Sequence, residues 1–443
     1  MSPSEAREPD HGLPPSFVSA ELSPEAEGIS AVSTEPETGR SGWGQVFRAL
    51  RHRNFRLFAA GQTISLMGTF MQTVAQSWLV YRLTRSEWLL GATWFCTQIP
   101  VFILGPLGGL AADRHSRHRI VVLTQILSMI QALLLAVLTL TGTVQVWHVM
   151  VLAATLGVIN AFDMPGRQSL IIQMTGKKDL LSAIALNSAI FNMARVVGPA
   201  VAGVVVAAVG EGLCFLANAI SYVAVIASLL AMRLPKFVAQ ARESPWAHLV
   251  NGFRYAYGQP AIKSLLTMVA ATNLSGIPVM VLMPFFADEI FHRGSQGLGF
   301  LTGAMGIGAV IGTLVLARRT KTSGLIGVIF LGALSFGVSF LVLAWSPSFY
   351  LALAIMPVIG FSIMRHNASA NTLIQTLIPD EYRGRIMALY SMTVVGIGPF
   401  GSLATGALAG HFGVRATVVF GGLLCILAAI LFRLRVRNLP ELK

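Results

Sequence analysis

The chemistry open to this chain lies in a few ionisable side chains set within apolar surroundings. Asp163 and Arg167 stand four apart, the spacing of an ion pair on one helix face; if partly buried, Asp163 can also titrate. Asp113 sits among bases in Gly109-Leu110-Ala111-Ala112-Asp113-Arg114-His115-Ser116-Arg117. A carboxylate in a half-dry setting is costly unless paired, and Arg117 is its local partner. Arg195 lies well inside an apolar stretch. A guanidinium at mid-membrane costs about 2.5–3.5 kcal/mol on insertion scales, so it must face a cavity or a partner. It can read an anionic or carbonyl-rich substrate, sense a nearby acid, or bond carbonyls freed near Pro199. Gln62, Ser65, Thr69, Gln72 and Gln76 recur at helical spacing and form one polar face. That face lines a path or bonds neighbouring helices, and Asn273 is a candidate addition to it. Trp94, Met280, Phe285 and Met392 offer adaptable apolar contacts or plain packing. Asp288 and Glu289 close another apolar stretch.

These residues suit binding and charge pairing more than bond making. The nine His are scattered, and no His is followed five residues later by Asp, as a membrane acyltransferase would need. No Walker P-loop occurs, which excludes ATP hydrolysis by that route. Cys96, Cys214 and Cys425 lie singly in apolar runs without metal-ligand spacing, so neither metal nor cofactor is expected. A non-transporting receptor is the alternative from another class; it would bind a ligand without moving it.

The elements that must position these groups are membrane-spanning helices. The chain is 54% hydrophobic and 12% charged, with mean hydropathy +0.68. A soluble domain carries about 25% charged residues. Apolar stretches of spanning length fall at about 55–82, 87–111, 119–141, 146–164, 182–210, 213–232, 262–287, 298–317, 323–345, 348–370, 384–410 and 414–434. With both termini cytoplasmic, 27 of the 32 Lys and Arg fall on the inner side, while Arg82, Arg85, Arg293 and Arg415 fall outside. That asymmetry sets the orientation. It also accounts for the net charge of +13 without nucleic acid.

Residues 1–45 are acidic and rich in Pro and Ser, which predicts a disordered cytoplasmic tail. Two six-helix halves follow at 46–232 and 262–437, with a linker at 233–261 and a C-terminal tail at 438–443. In the linker Trp246, Leu249, Val250, Phe253 and Tyr257 form an amphipathic stripe, predicting a helix along the inner face. The halves echo each other. Gly157 to Gly210 and Gly360 to Gly413 share an order of events, with Gly198-Pro199 matched by Gly398-Pro399 and Asp163 aligned with His366. Pseudo-symmetric halves around a central site are the architecture of alternating-access carriers.

Gly109, Asp113, Arg114 and Arg117 match the loop signature of the major facilitator superfamily, although Ala111, Ser116 and His118 depart from it. Arg53-Asn54-Phe55-Arg56-Leu57, Asn160 to Gln168, Asn187-Ser188, Arg195 to Pro199, and Pro379 to Arg385 resemble the branch of enterobactin-type siderophore exporters and macrolide or multidrug efflux pumps. The resemblance covers about residues 45–437. It implies an all-α integral membrane protein of twelve transmembrane helices. It also implies a monomeric exporter of small organic molecules in a bacterial inner membrane, driven by proton antiport. A dedicated siderophore exporter is the alternative. In that family the acid at Asp113 locks inner helix ends, which makes Arg385 a partner across the gate. Gly198, Pro199 and Gly203 resemble the antiporter signature of the fifth span.

Overall fold

The computed structural model describes residues 47–176, 178–234, 253–319, 324–437 and 439. The acidic tail and most of the linker therefore lie outside the described residues. Of the linker stripe, Phe253 and Tyr257 belong to helical residues 253–258, with ring centroids 4.9 Å apart.

The described chain is nearly all helix, as lipid demands: each backbone N–H and C=O must be satisfied within its own segment. The helices are α1 (Arg53–Thr84), α2 (Glu87–Arg114), α3 (Arg117–Leu140), α4 (Val146–Thr175), α5 (Leu180–Val209) and α6 (Glu211–Leu230). After the linker come α7 (Pro260–Ser275), α8 (Gly294–Ala317), α9 (Leu325–Ala344), α10 (Phe349–Leu377), α11 (Asp380–Gly396), α12 (Gly398–Phe412) and α13 (Val414–Arg437). Among the described residues eleven stretches are long and apolar enough to cross a membrane. α1 is not among them, although it is 32 residues long, because it carries the polar face.

Two expected spans are broken. The seventh is α7, then a 3-10 stretch Ile277–Leu282, a short α turn Met283–Phe285 and a π turn Phe286–Ile290. Pro278 and Pro284 withhold the N–H groups that a continuous helix would need. The eleventh is split at Ile397, and α12 resumes at Gly398 with Pro399 in its first turn. Its counterpart Pro199 is carried inside an unbroken α5, so the same Gly-Pro pair has two outcomes. The fourth and tenth spans outrun the expected ends at 164 and 370, reaching Thr175 and Leu377. Charged and amide residues end a hydropathy window but not a helix.

Helix pairing repeats between the halves. α2 packs on α4 as α8 does on α10; α3 on α6 as α9 on α13; and α1 on α6 as α7 on α13. Gly210 and Gly413, at matching repeat positions, take φ of +86° and +84° and turn the chain after α5 and α12. Arg85 and His292 reverse it after α1 and the π turn, both left-handed at φ +49° and +52°.

The halves meet along two crossings, α5 with α8 and α2 with α12. Glycine permits both. A Cβ on Gly203 would lie 2.8 Å from the Ser295 carbonyl and 2.9 Å from Gly299 Cα. One on Gly406 would lie 2.7 Å from the Glu87 carbonyl, and one on Gly91 would strike the Ser402 carbonyl. All these contacts lie at the end opposite the basic face, the face where α1 begins and α13 ends. At that opposite end one buried cluster joins both halves, with Tyr81, Leu90 and Phe215 beside Phe285, Leu298 and Phe340. At the basic face the core is two separate clusters. One holds Phe55, Val121, Leu170 and Leu229 of the first half; the other holds Ile262, Leu325, Ile374 and Phe432 of the second.

Candidate functional site

A cavity of about 310 Å³ lies between the halves. α1 supplies its polar wall, because Thr69, Gln72 and Gln76 recur along one helix face and Thr73, Ser77 and Val80 flank them. Trp94 on α2 and Tyr222 on α6 add aromatic surface. The broken seventh span and α8 and α10 close the other side with Met280, Met283, Met305 and Met356. Unbranched thioethers adapt to differing shapes. Among the described residues no Asp or Glu lines the cavity, and Arg195 is the one charged residue that does.

Much of the polar wall is engaged. Asn218 Nδ2 donates to Gln72 Oε1 (2.7 Å), Gln72 Nε2 to Gln131 Oε1 (3.1 Å), and Gln131 Nε2 to the Leu152 carbonyl (3.2 Å). This buried amide chain fastens α1, α3, α4 and α6, so Gln72 bonds helices while touching the cavity. Thr69, Thr73, Thr93, Thr97 and Thr302 donate to carbonyls of their own helices. By contrast, among the described residues neither Gln76 nor Arg195 has a hydrogen bond or ion pair, and the Arg195 guanidinium is met only by the Phe191 ring at 5.7 Å.

The other expected residues are placed as follows. Gln62 and Ser65 are buried and are not among the cavity-lining residues. Nor is Asn273, which is fully buried; its Nδ2 donates to the Val269 carbonyl (2.7 Å) and to Asn367 Oδ1 (3.3 Å). Pro199 lines the cavity. Gly198 lets α5 approach α1, where a Cβ would lie 2.6 Å from Phe70 Cβ. At the basic face Arg117 Nη2 is 3.9 Å from Asp113 Oδ1, and Arg114 is exposed. The Arg385 guanidinium is 5.7 Å from the Tyr382 ring. A Cβ on Gly109 would meet nothing within 4 Å.

Asp163 is 1% exposed and accepts from Thr124 Oγ1 and Gln125 Nε2, both at 2.8 Å, and from Arg167 Nη2. It thereby joins α4 to α3. Its repeat counterpart His366 is also buried; Nδ1 donates to the Ile329 carbonyl (3.1 Å) and Nε2 is 3.0 Å from Thr272 Oγ1. One position thus fastens the equivalent helix pair in each half, by a charge in one and an imidazole in the other.

Sequence reasoning left Asp288 and Glu289 without partners. At the end opposite the basic face Tyr81 Oη lies 2.8 Å from Asp288 Oδ2 and 3.2 Å from Glu289 Oε1. Arg85 Nη1 donates to Asp288 Oδ2 at 2.7 Å, and the Phe285 ring stands edge-on to Tyr81. This latch ties α1 to the broken seventh span and roofs the cavity. Arg82 pairs nearby with Glu211 at 2.7 Å. The signal was available: Arg82 and Arg85 are among only four bases expected on that side, and each has an acid there to meet.

Comparison with known proteins agrees with this geometry. The transmembrane secretion effector family matches residues 45–443. The staphyloferrin A transporter of Staphylococcus aureus is 27% identical over 383 residues, covering 85% of this chain and 95% of its own. The multidrug efflux pump Tap of Mycolicibacterium fortuitum is 26% identical over 389 residues, covering 84% and 94%. Among solved structures, a bacterial homologue of the human lysosomal transporter Spinster, inward-facing and occupied, superposes with a TM-score of 0.69 at 15% identity, over 88% of this chain and 98% of its own. With this pairing of halves and this match along almost its whole described length, the chain belongs to the transmembrane secretion effector family of major facilitator superfamily transporters, as a multi-pass membrane protein.

Proposed function

We propose that this transporter exports small organic molecules across a bacterial inner membrane by alternating access, as a monomer with protons as counter-ion and both termini cytoplasmic. One observation carries the reading: a cavity between halves whose core is continuous at one end and divided at the other. With the basic face inside, this is an inward-facing state. Glycines on α2 support a rocking motion. Gly91 and Gly109 are five helical turns apart and share a face; Gly91 is pressed on α12 while Gly109 faces open space. Closure of the basic face would bring Gly109 and Asp113 toward α11, where Arg385 lies, and would release Gly91.

The Met-lined wall suits a range of organic cargo, as the name of the pump Tap suggests. A dedicated siderophore exporter is the second reading, supported by the similarity to the staphyloferrin A transporter. The test is flux of amphipathic dyes in proteoliposomes under an imposed pH gradient. Flux that stops when the gradient is collapsed and in Arg195→Ala is expected. Flux indifferent to the gradient rules out proton coupling, and no flux of any dye rules out the exporter.

A further inference from the structure

Resting on that reading, we infer that the cavity selects organic anions, with Arg195 as the group that reads the charge, and discriminates against lipophilic cations of the same size. Two independent features of the cavity support this. The first is an uncompensated charge. The Arg195 guanidinium is half-buried inside the membrane-spanning part of α5, and among the described residues no carboxylate or hydrogen-bond acceptor meets it. Its fork of five N–H groups matches a carboxylate or a related planar oxyanion. The second is the makeup of the walls. Among the described residues no Asp or Glu lines the cavity, and Asp163 of the first half and Asp288 of the roof are engaged elsewhere: Asp163 on Arg167, Thr124 and Gln125, and Asp288 on Tyr81 and Arg85. A cation entering therefore meets one positive charge and, among the described residues, no carboxylate to neutralise its own.

A further unengaged polar group fits the same ligand. The Gln76 amide lies on the wall with no partner among the described residues, and it can donate to a second oxygen. Met280, Met283, Met305 and Trp94 then take the apolar body. The open face adds a long-range bias, since the basic residues around it attract anions and repel cations. The ligand class is an amphipathic molecule with at least one carboxylate or comparable oxyanion and an apolar body.

The experiment uses the purified full chain in nanodiscs and two xanthene dyes of near-equal shape, anionic fluorescein and cationic rhodamine 123. Binding is read by fluorescence anisotropy, and flux is read separately in proteoliposomes. Fluorescein should bind roughly tenfold or more tightly than rhodamine 123, as a charge-assisted bond in a screened cavity implies. Arg195→Gln should erase that preference. Arg195→Lys, which keeps the charge but loses the fork, should retain part of it and shows that loss in the glutamine variant is not misfolding. Equal or tighter binding of rhodamine 123, an unchanged preference in Arg195→Gln, or binding of neither dye overturns the inference. A charge preference without flux leaves the anion site standing and removes the exporter; flux of both dyes without preference does the reverse.

Discussion

Replacing Gly203 by valine should push the protein out of the conformation described above. A Cβ at that position lies 2.8 Å from the Ser295 carbonyl oxygen and 2.9 Å from Gly299 Cα, whereas ordinary contact begins at 3.4 Å. Both neighbours are backbone, so neither can rotate away, and α5 and α8 must part by roughly half an ångström or more at the crossing. Overpacking of this kind costs about 1–3 kcal/mol. The cost falls on this state and not on one in which α5 and α8 have already separated there. The equilibrium between the two therefore moves by about 5- to 150-fold. Gly109→Val is the matched opposite. Nothing lies within 4 Å of a Cβ there, so this state is untouched and closure of the basic face is penalised. Nitroxide labels at Thr143 and Trp345, exposed on the two halves at the end opposite the basic face, report the opening. They are placed on a background in which Cys96, Cys214 and Cys425 are replaced. Electron–electron double resonance should show a larger long-distance population in Gly203→Val and a smaller one in Gly109→Val. Shifts in the same direction, or none, would mean that these glycine crossings are not the contacts that move.

Three further outcomes follow from the polar clusters. Tyr81→Phe removes the hydroxyl between Asp288 and Glu289; a bond to a charged group is worth about 1.5–3 kcal/mol, with the low end expected for half-exposed carboxylates. Labelling of Gln76→Cys by an impermeant maleimide from the side opposite the basic face should then rise about tenfold, and an unchanged rate would count against the latch. Asp163→Asn leaves the half-buried Arg167 without its counter-charge and should destabilise the protein by about 3 kcal/mol, the low end for breaking a buried pair. Thermal melting should show that adding Arg167→Gln recovers part of the loss; strict additivity would argue that the two side chains are uncoupled. Asp179, which joins the 3-10 turn Arg48–Arg51 to the start of α5, is held below the usual carboxylate range by its bond to His52 at 2.9 Å and by Arg48 at 3.4 Å. A carboxyl lowered by folding stabilises above its unfolded value, about 3.9, and loses that contribution as pH falls through the folded value. The melting difference between the native protein and Asp179→Asn should thus be full near pH 6 and close toward pH 3; a constant difference would exclude this contact as its source.

The fold was legible because lipid leaves so few options. Hydropathy located the helices, the Lys and Arg asymmetry located the basic face, and the repeat from Gly157 and Gly360 anticipated the matching helix pairs. Breaks were harder to read. Gly198-Pro199 and Gly398-Pro399 look alike in sequence, yet one lies inside α5 and the other opens α12 after the break at Ile397. The difference depends on what the neighbouring helices press against, which no local pattern contains. The site was legible only as a face. Gln62, Ser65, Thr69, Gln72 and Gln76 are equivalent by spacing, but close packing buries the first two, the amide chain engages Gln72, and Gln76 is left to the cavity. A polar residue in a membrane helix must be satisfied somewhere, and whether by a neighbour or by cargo is decided by how near the next helix comes. Here that distance is set by glycines such as Gly61 and Gly68 on α1, whose absent side chains admit α6. Arg195 escaped such engagement because α8 approaches its backbone and not its guanidinium: a Cβ on Gly306 would lie 2.9 Å from the Arg195 carbonyl, while the side chain turns to the hollow. The free charge is therefore a product of the same close packing that holds the halves together. A change that loosens α5 from α8 should alter both the conformational balance and the hold on an anion.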